Sequence, residues 1–161
     1  MFIWFVAGSL VAVPMVFDSP DLDIRVVMVA ALLPIVEVLI DGPWILHTLL
    51  LSVAALAIVM LLTRGHRRKR QRWLGVPIGM FTHLVLDGTW GRTTLFWWPA
   101  GGFKQLGGST LPEFSRFPGT LWLEALGLIV CFWGWKHFGL SQPERRQQFW
   151  TEGRVEAIRD R

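Results

Sequence analysis

Acidic and imidazole side chains lie near the ends of several apolar segments of this chain, where they could bind a metal ion or move protons. His83 and Asp87 are four residues apart, so a helix would place both side chains on one face. Glu37 and Asp41 repeat that spacing, and His47 follows them. Imidazole and carboxylate are ligands of zinc and of the harder ions manganese and magnesium. Such a metal would activate water and polarise a phosphoryl or acyl oxygen.

The elements that must position these residues are predicted to be membrane helices. Of the 161 residues, 52% are hydrophobic and only 17% are charged, against about 25% charged residues in a typical soluble domain. The apolar residues form long blocks near residues 2–17, 24–40, 44–63, 73–90 and 120–137. A crossing needs roughly 20 residues, so the first and fourth blocks are short. We therefore predict an all-α, polytopic membrane bundle of four to five transmembrane helices within residues 1–140.

The distribution of basic residues predicts the orientation of this bundle. Arginine and lysine cluster between the third and fourth blocks and again in the tail, residues 141–161, so both regions are expected in the cytoplasm. The Asp41–Pro43 turn and residues 88–119 would then face outward, with the candidate ligands at one depth near the outer surface. The inner loop Asp18–Arg25 runs against the rule, since it has three aspartates and one arginine. The expected location is the bacterial plasma (inner) membrane, multi-pass, with a cytoplasmic C-terminus.

The same residues resemble the motifs of the bacterial membrane-bound metal-dependent hydrolases, a family of small helical inner-membrane proteins. That family has a Pro-Asp-x-Asp element, a His-Arg-Gly-x-Thr-His-Ser element and a His-x-x-x-Asp element. The resemblance extends from about Ala31 to Pro99 and is carried by Leu33-Pro34-x-x-Glu37, Gly42-Pro43, His47-Thr48, His83-x-x-x-Asp87-Gly-Thr89-Trp-Gly91 and Trp98-Pro99. The first element here has one acid, Glu37, and the second lacks its leading His-Arg.

Residues 88–119 form an aromatic outer segment rich in glycine, which could anchor at headgroup depth or cover the site as a lid. Its basic residues would meet an anionic headgroup or phosphate. The predicted substrate-binding residues are Arg92, Trp90, Trp97, Trp98 and Lys104. The tail is predicted to be a charged, weakly amphipathic helix that lies on the inner surface or binds a protein partner. No nucleic-acid partner is expected, because the basic run between two spans has no aromatic platform beside it.

These observations predict a membrane-embedded metal-dependent hydrolase that acts on a lipid or lipid-linked ester or phosphoester from the outer leaflet. The predicted metal ligands are His47, His83, Asp87 and Glu37; Glu37 is also the candidate general base, and Asp41 is a catalytic residue or an additional ligand. Zinc is the expected ion, with manganese or magnesium as alternatives.

Two other readings are open. A non-catalytic membrane subunit could hold partners through the outer aromatic segment or the tail. Ion translocation is disfavoured, because no ionisable residue lies between Thr48 and Leu62 or between Leu74 and Thr82. The single cysteine, Cys131, can form no internal disulfide.

Overall fold

The computed structural model describes residues 1–17, 19, 21–37, 45–102 and 118–156. These ranges are helical and contain no β-strand, which confirms the all-α class. The α-helices are α1 (Phe2–Phe17), α2 (Ile24–Ala30), α3 (Leu49–Leu62), α4 (Arg67–Trp73), α5 (Gly75–Asp87), α6 (Thr93–Phe96), α7 (Gly119–His137) and α8 (Pro143–Glu152). Three 3-10 helices cover Leu33–Val36, Ile45–His47 and Thr89–Gly91.

Within the ranges described, no helix combines the length and the apolar character that crossing a bilayer requires. The third and fourth predicted spans are divided by local chemistry. Thr48 separates the turn at His47 from α3, because its hydroxyl accepts the N–H of Leu51 at 3.3 Å and caps that helix. Gly88 ends α5 in the left-handed conformation, at φ 71°.

The second predicted span, residues 24–40, is interrupted before its acidic end. Helix α2 ends at Ala30, and a 3-10 helix begins at Leu33. Pro34 has no N–H to continue the α-helical ladder. The N–H of Ile35 then bonds to Leu32 O at 3.1 Å rather than to Ala31 O. The carbonyl of Ala31 is therefore available to a side chain from another helix.

Two glycines let helix backbones approach closely in this bundle. At Gly79 of α5, an added Cβ would collide with the carbonyl of Val27 and with the side chain of Ala30. At Gly127 of α7, it would lie 2.7 Å from the backbone nitrogen of Trp4 in α1. Small residues at helix interfaces serve this purpose in membrane proteins. The glycines thus place α5 against α2 and α7 against α1.

The tail helix α8 packs on the end of the bundle that carries the loop containing Asp21 and Asp23 (the acidic loop). Phe149 is buried in the main apolar cluster, which comprises Leu10, Val13, Leu22, Ile24, Val27, Phe138, Leu140 and Phe149. The N–H of Ile24 donates to Gly153 O at 2.9 Å, and the guanidinium of Arg25 donates to Trp150 O. The tail is therefore part of the folded domain.

Asp21 and Asp23 of that loop have basic and amide partners from both sides. Asp23 binds Arg25 at 2.9 Å and lies 3.5 Å from Arg72 of α4. Asp21 accepts from Gln71 at 2.7 Å and lies 3.8 Å from Arg154. Asp21 and Asp23 therefore lie beside the basic regions predicted to be cytoplasmic, and their charges are offset there.

We expect Gly79→Ala to destabilise the protein by about 1–3 kcal/mol, because the added methyl group overpacks the interface between α2 and α5. Gly119→Ala is the matched control, since a Cβ there meets no atom within 4 Å. Thermal unfolding in detergent measures both changes. Equal midpoints for the two variants would contradict the close approach of α5 to α2.

The pKa of Asp23 should govern part of the acid stability. Burial raises this pKa, but the hydrogen bond and charge of Arg25, the N–H of Val26 and the charge of Arg72 lower it more, so it lies below its ordinary value of 3.8. A lowered carboxyl pKa in the folded state stabilises the fold above the ordinary value, and this contribution is lost as the pH falls through the lowered pKa.

We therefore expect Asp23→Asn to lower the unfolding midpoint at neutral pH and to reduce its fall on acidification below about pH 4. Asparagine can still cap α2, so the substitution mainly removes charge. The exposed Glu144, changed to Gln, is the control. Parallel curves of midpoint against pH for wild type and Asp23→Asn would refute this expectation.

Candidate functional site

His83 is held where α5 passes the interrupted end of α2. It lies one turn beyond Gly79, and its Nδ1 is 2.7 Å from Ala31 O. A carbonyl oxygen only accepts, so Nδ1 carries the proton. The ring is fully buried and stacks on Phe5 of α1, with centroids 3.9 Å apart and an interplanar angle of 26°. Three helices therefore fix the orientation of this imidazole.

Glu37 and His47, which lie on either side of residues 38–44 in the chain, form a buried pair. Glu37 Oε2 is 2.8 Å from His47 Nδ1, and Oε1 accepts the N–H of Leu46 at 2.6 Å. Glu37 is 6% exposed and His47 is fully buried. An ionised carboxylate only accepts, so Nδ1 of His47 also carries the proton. Glu37 thus orients His47.

The two imidazoles share one cluster and one tautomer. Their ring centroids are 5.3 Å apart, and the rings are nearly perpendicular at 79°. With Nδ1 protonated in each ring, the lone pair of the neutral imidazole is on Nε2. Metal-binding histidines usually have this arrangement, with the other ring N–H donated to a carboxylate or a backbone carbonyl. The same arrangement makes Nε2 a proton acceptor in general base catalysis.

Asp87 ends α5 one turn beyond His83, and it is fully buried. Its Oδ2 accepts the hydroxyl of Thr89 at 2.6 Å. The left-handed residue Gly88 turns the chain so that Thr89, also fully buried, can make this contact. A hydroxyl donor to an ionised carboxylate is a strong hydrogen bond, and it fixes the rotamer of Asp87.

The structure brings the side chains of Glu37, His47 and His83 together in the interior. The predicted substrate-binding residues that the structure describes are more exposed. Trp90 and Trp97 are 63% and 55% exposed, whereas Arg92 and Trp98 are half-buried. Trp97 makes an edge contact with Phe96. Asp41 and Lys104 lie outside the described residues.

The donor atoms of this cluster meet part of what a metal site requires. Two Nε2 atoms with fixed tautomers are ligands that zinc takes. Within the part of the chain that the structure describes, however, no three side chains of His, Cys, Asp or Glu come together as a group that could hold a metal. A bound ion would need a further ligand from outside the described ranges or a change in the position of Asp87.

Three contributors to the cluster were not predicted as site residues, namely Ala31, Phe5 and Thr89. Ala31 acts through its backbone, and Pro34 was the only sign that this carbonyl is left open. Phe5 lies in a uniformly apolar helix, where no pattern singles it out. Thr89 had a local signal, because it follows Asp87 across a glycine.

Comparison with known proteins identifies the family. The model of the YdjM inner membrane protein family matches residues 4–150, which is most of the chain. The chain therefore belongs to the YdjM inner membrane protein family, and its location is the inner membrane. The expected bacterial inner-membrane class is confirmed at this level, and the family description names no reaction. No curated protein and no solved structure matches the chain.

Proposed function

We propose that the protein is a metal-dependent hydrolase embedded in the inner membrane, acting on a lipid or lipid-linked ester or phosphoester from the outer leaflet. The observation that carries the proposal is the pair of buried imidazoles, each held at Nδ1 by an acceptor. Burying two histidines with one carboxylate and fixing both tautomers is costly for a cluster that only fills space. It is well suited to a pair that presents two Nε2 atoms to an ion or a reacting group.

In this proposal His47 and His83 hold the ion through Nε2, and Asp87 is the nearest candidate for a third ligand. When bound, the ion supplies Lewis-acid polarisation of the ester or phosphoryl oxygen and activation of water. The donor type favours zinc, and manganese or magnesium are alternatives. Glu37 keeps His47 in the required tautomer, and Thr89 fixes Asp87.

The apolar wall behind the imidazoles contributes as well. Phe5 covers one face of His83 and keeps water from that side of the ring. Exclusion of water strengthens every charge interaction within such a cluster. The proposed path for substrate is from the outer surface, past Trp90 and Trp97, with Arg92 meeting an anionic group.

A multi-pass arrangement with the C-terminus in the cytoplasm is part of the proposal. Exposed apolar side chains along α3 and α7, including Leu61, Leu62, Trp122 and Ile129, suit contact with lipid. At 19 residues, α7 is about 28 Å long, close in length to the roughly 30 Å of a hydrocarbon core, although its apolar character falls short of what a crossing requires. The pairing of Asp21 and Asp23 with basic residues supports placing their loop beside α4 in the cytoplasm.

The alternative is a non-catalytic subunit that binds partners through its tail or its aromatic outer segment. The tail uses Phe149 within its own domain, which reduces the apolar surface left for a partner. Trp150 stays 63% exposed and would be the contact residue in this alternative. The buried histidine cluster has no task in such a subunit, so we prefer the hydrolase.

Metal content tests the proposal most directly. We expect about one zinc ion per purified chain, reduced at least about tenfold in His83→Asn, because one of two nitrogen ligands is lost. Asparagine can still donate to Ala31 O, so the packing of α5 on α2 should survive. His66→Asn at the exposed start of α4 is the matched control and should keep its metal.

Inductively coupled plasma mass spectrometry gives the metal content, and thermal unfolding with and without a chelator reports folding of each variant. Wild-type protein that contains no zinc, manganese or magnesium after incubation with these ions would contradict the proposal. So would a His83→Asn protein that retains the wild-type amount of metal.

Glu37→Gln tests the orienting role of the carboxylate. We expect zinc affinity to fall about 10–100-fold, because the substitution removes the charge that holds the His47 tautomer. The exposed Glu152, changed to Gln, is the control. Competition with a chromophoric chelator measures the affinity of the purified proteins, and an unchanged affinity in Glu37→Gln would show that the pair only packs the core.

A further inference from the structure

An apolar groove of about 470 Å³ runs between α1, α3 and α5. Along α3 it extends from Leu49 to Leu56, which corresponds to about 10 Å of helix. Other residues on its wall are Ala12, Val16, Pro77, Ile78, Phe81 and Leu86. Its wall is almost wholly hydrocarbon, in a protein of the inner membrane.

We infer that this groove holds one acyl chain of a membrane lipid, and that the substrate of the proposed hydrolase carries such a chain. The identification of this lipid as a substrate rests on the proposed function, whereas the binding of an acyl chain in the groove does not. Its occupant is an extended hydrocarbon chain with an ester carbonyl at its head.

A buried hydroxyl on the wall points to a ligand with one polar atom. Ser52 is 4% exposed and is the one buried residue of α3. Ser52 is part of the groove wall, and its Oγ is buried behind the surface of that wall with no hydrogen-bond partner among the described residues. A buried hydroxyl without a partner is costly. Once the Ser52 side chain rotates about χ1 to bring Oγ to the surface of the wall, an ester carbonyl at the head of the acyl chain would accept its proton and remove that cost.

The open side of the groove faces the surroundings of the bundle. Val16, Val53 and Phe81 on its rim are 75%, 52% and 45% exposed. A lipid chain could therefore enter sideways from the bilayer.

One end of the groove is formed by residues that are close in sequence to the histidine cluster. Leu49 is two residues after His47, and Leu86 immediately precedes Asp87. Ser52 lies one turn into the helix that follows His47. A chain seated in the groove, with its carbonyl at Ser52, would thus have its ester end near the first turn of α3, which follows His47 in the chain.

Photo-crosslinking in lipid nanodiscs tests this inference. The probe is phosphatidylethanolamine with a diazirine in one acyl chain, and mass spectrometry maps the labelled residues of the full-length chain. We expect labels concentrated on the groove-facing residues of α3 and α5 in wild type. Val53→Trp should reduce groove labelling at least about tenfold by filling the rim. Ile129→Trp on the exposed face of α7 is the matched control and should leave it unchanged.

An ether-linked probe separates the Ser52 contact from simple packing, because an ether has no carbonyl to accept the hydroxyl. Wild type should label more with the ester probe than with the ether probe, and Ser52→Ala should label equally with both. Labels spread evenly over all exposed apolar faces would overturn the inference, as would crosslinks between two copies of the chain through the groove. Equal labelling of wild type by the two probes would overturn it as well.

The outcome is independent of the metal experiments. His83→Asn should keep the groove labels, since the groove does not include the imidazole. Labelling without bound metal would support the acyl-chain site and count against the hydrolase. Bound metal without groove labelling would leave the hydrolase and remove the acyl-chain site.

Discussion

The hydrogen bond from His83 to the carbonyl of Ala31 is the contact on which the rest of the site depends. This contact requires a helix that ends early, a neighbouring helix that approaches closely, and a ring directed at the carbonyl that the helix end leaves available. Pro34 provides the first, Gly79 provides the second, and the position of His83 one turn after Gly79 provides the third. Because the ring is fully buried, there is no water to replace this acceptor.

The second histidine is fixed by charge. Glu37 binds both His47 Nδ1 and the N–H of Leu46, so one carboxylate sets the ring and the backbone that carries it. Phe5 stacks on the other imidazole and extends the same cluster to the first helix. The cluster therefore draws on segments far apart in sequence, and loss of the close approach at Gly79 would alter all of them.

The sequence was most informative where a residue type is costly in an apolar setting. Glu37, His47 and His83 could be selected because ionisable groups are rare among apolar blocks, and the structure places these three side chains in one cluster. The all-α class followed from the long apolar blocks. The interruption of residues 24–40 was harder to foresee, because Pro34 is compatible with a kink as well as with a stop.

Other features could not be read from the sequence because they depend on tertiary packing. The collision that a Cβ at Gly79 would cause exists only once α2 and α5 are side by side. The acidic loop seemed to oppose the inner orientation, because its partners Arg72 and Arg154 are distant in sequence. The groove of α1, α3 and α5 likewise belongs to no single segment.

The contact between Arg25 and Trp150 has a consequence for biosynthesis, since 125 residues separate the two. A ribosome makes the aspartates of the first loop long before it makes the helix that covers them. Until that helix is made, Arg25, Gln71 and Arg72 are the partners available to Asp21 and Asp23. The contacts of α8 with this loop can therefore form only after the residues of the imidazole cluster have been synthesised.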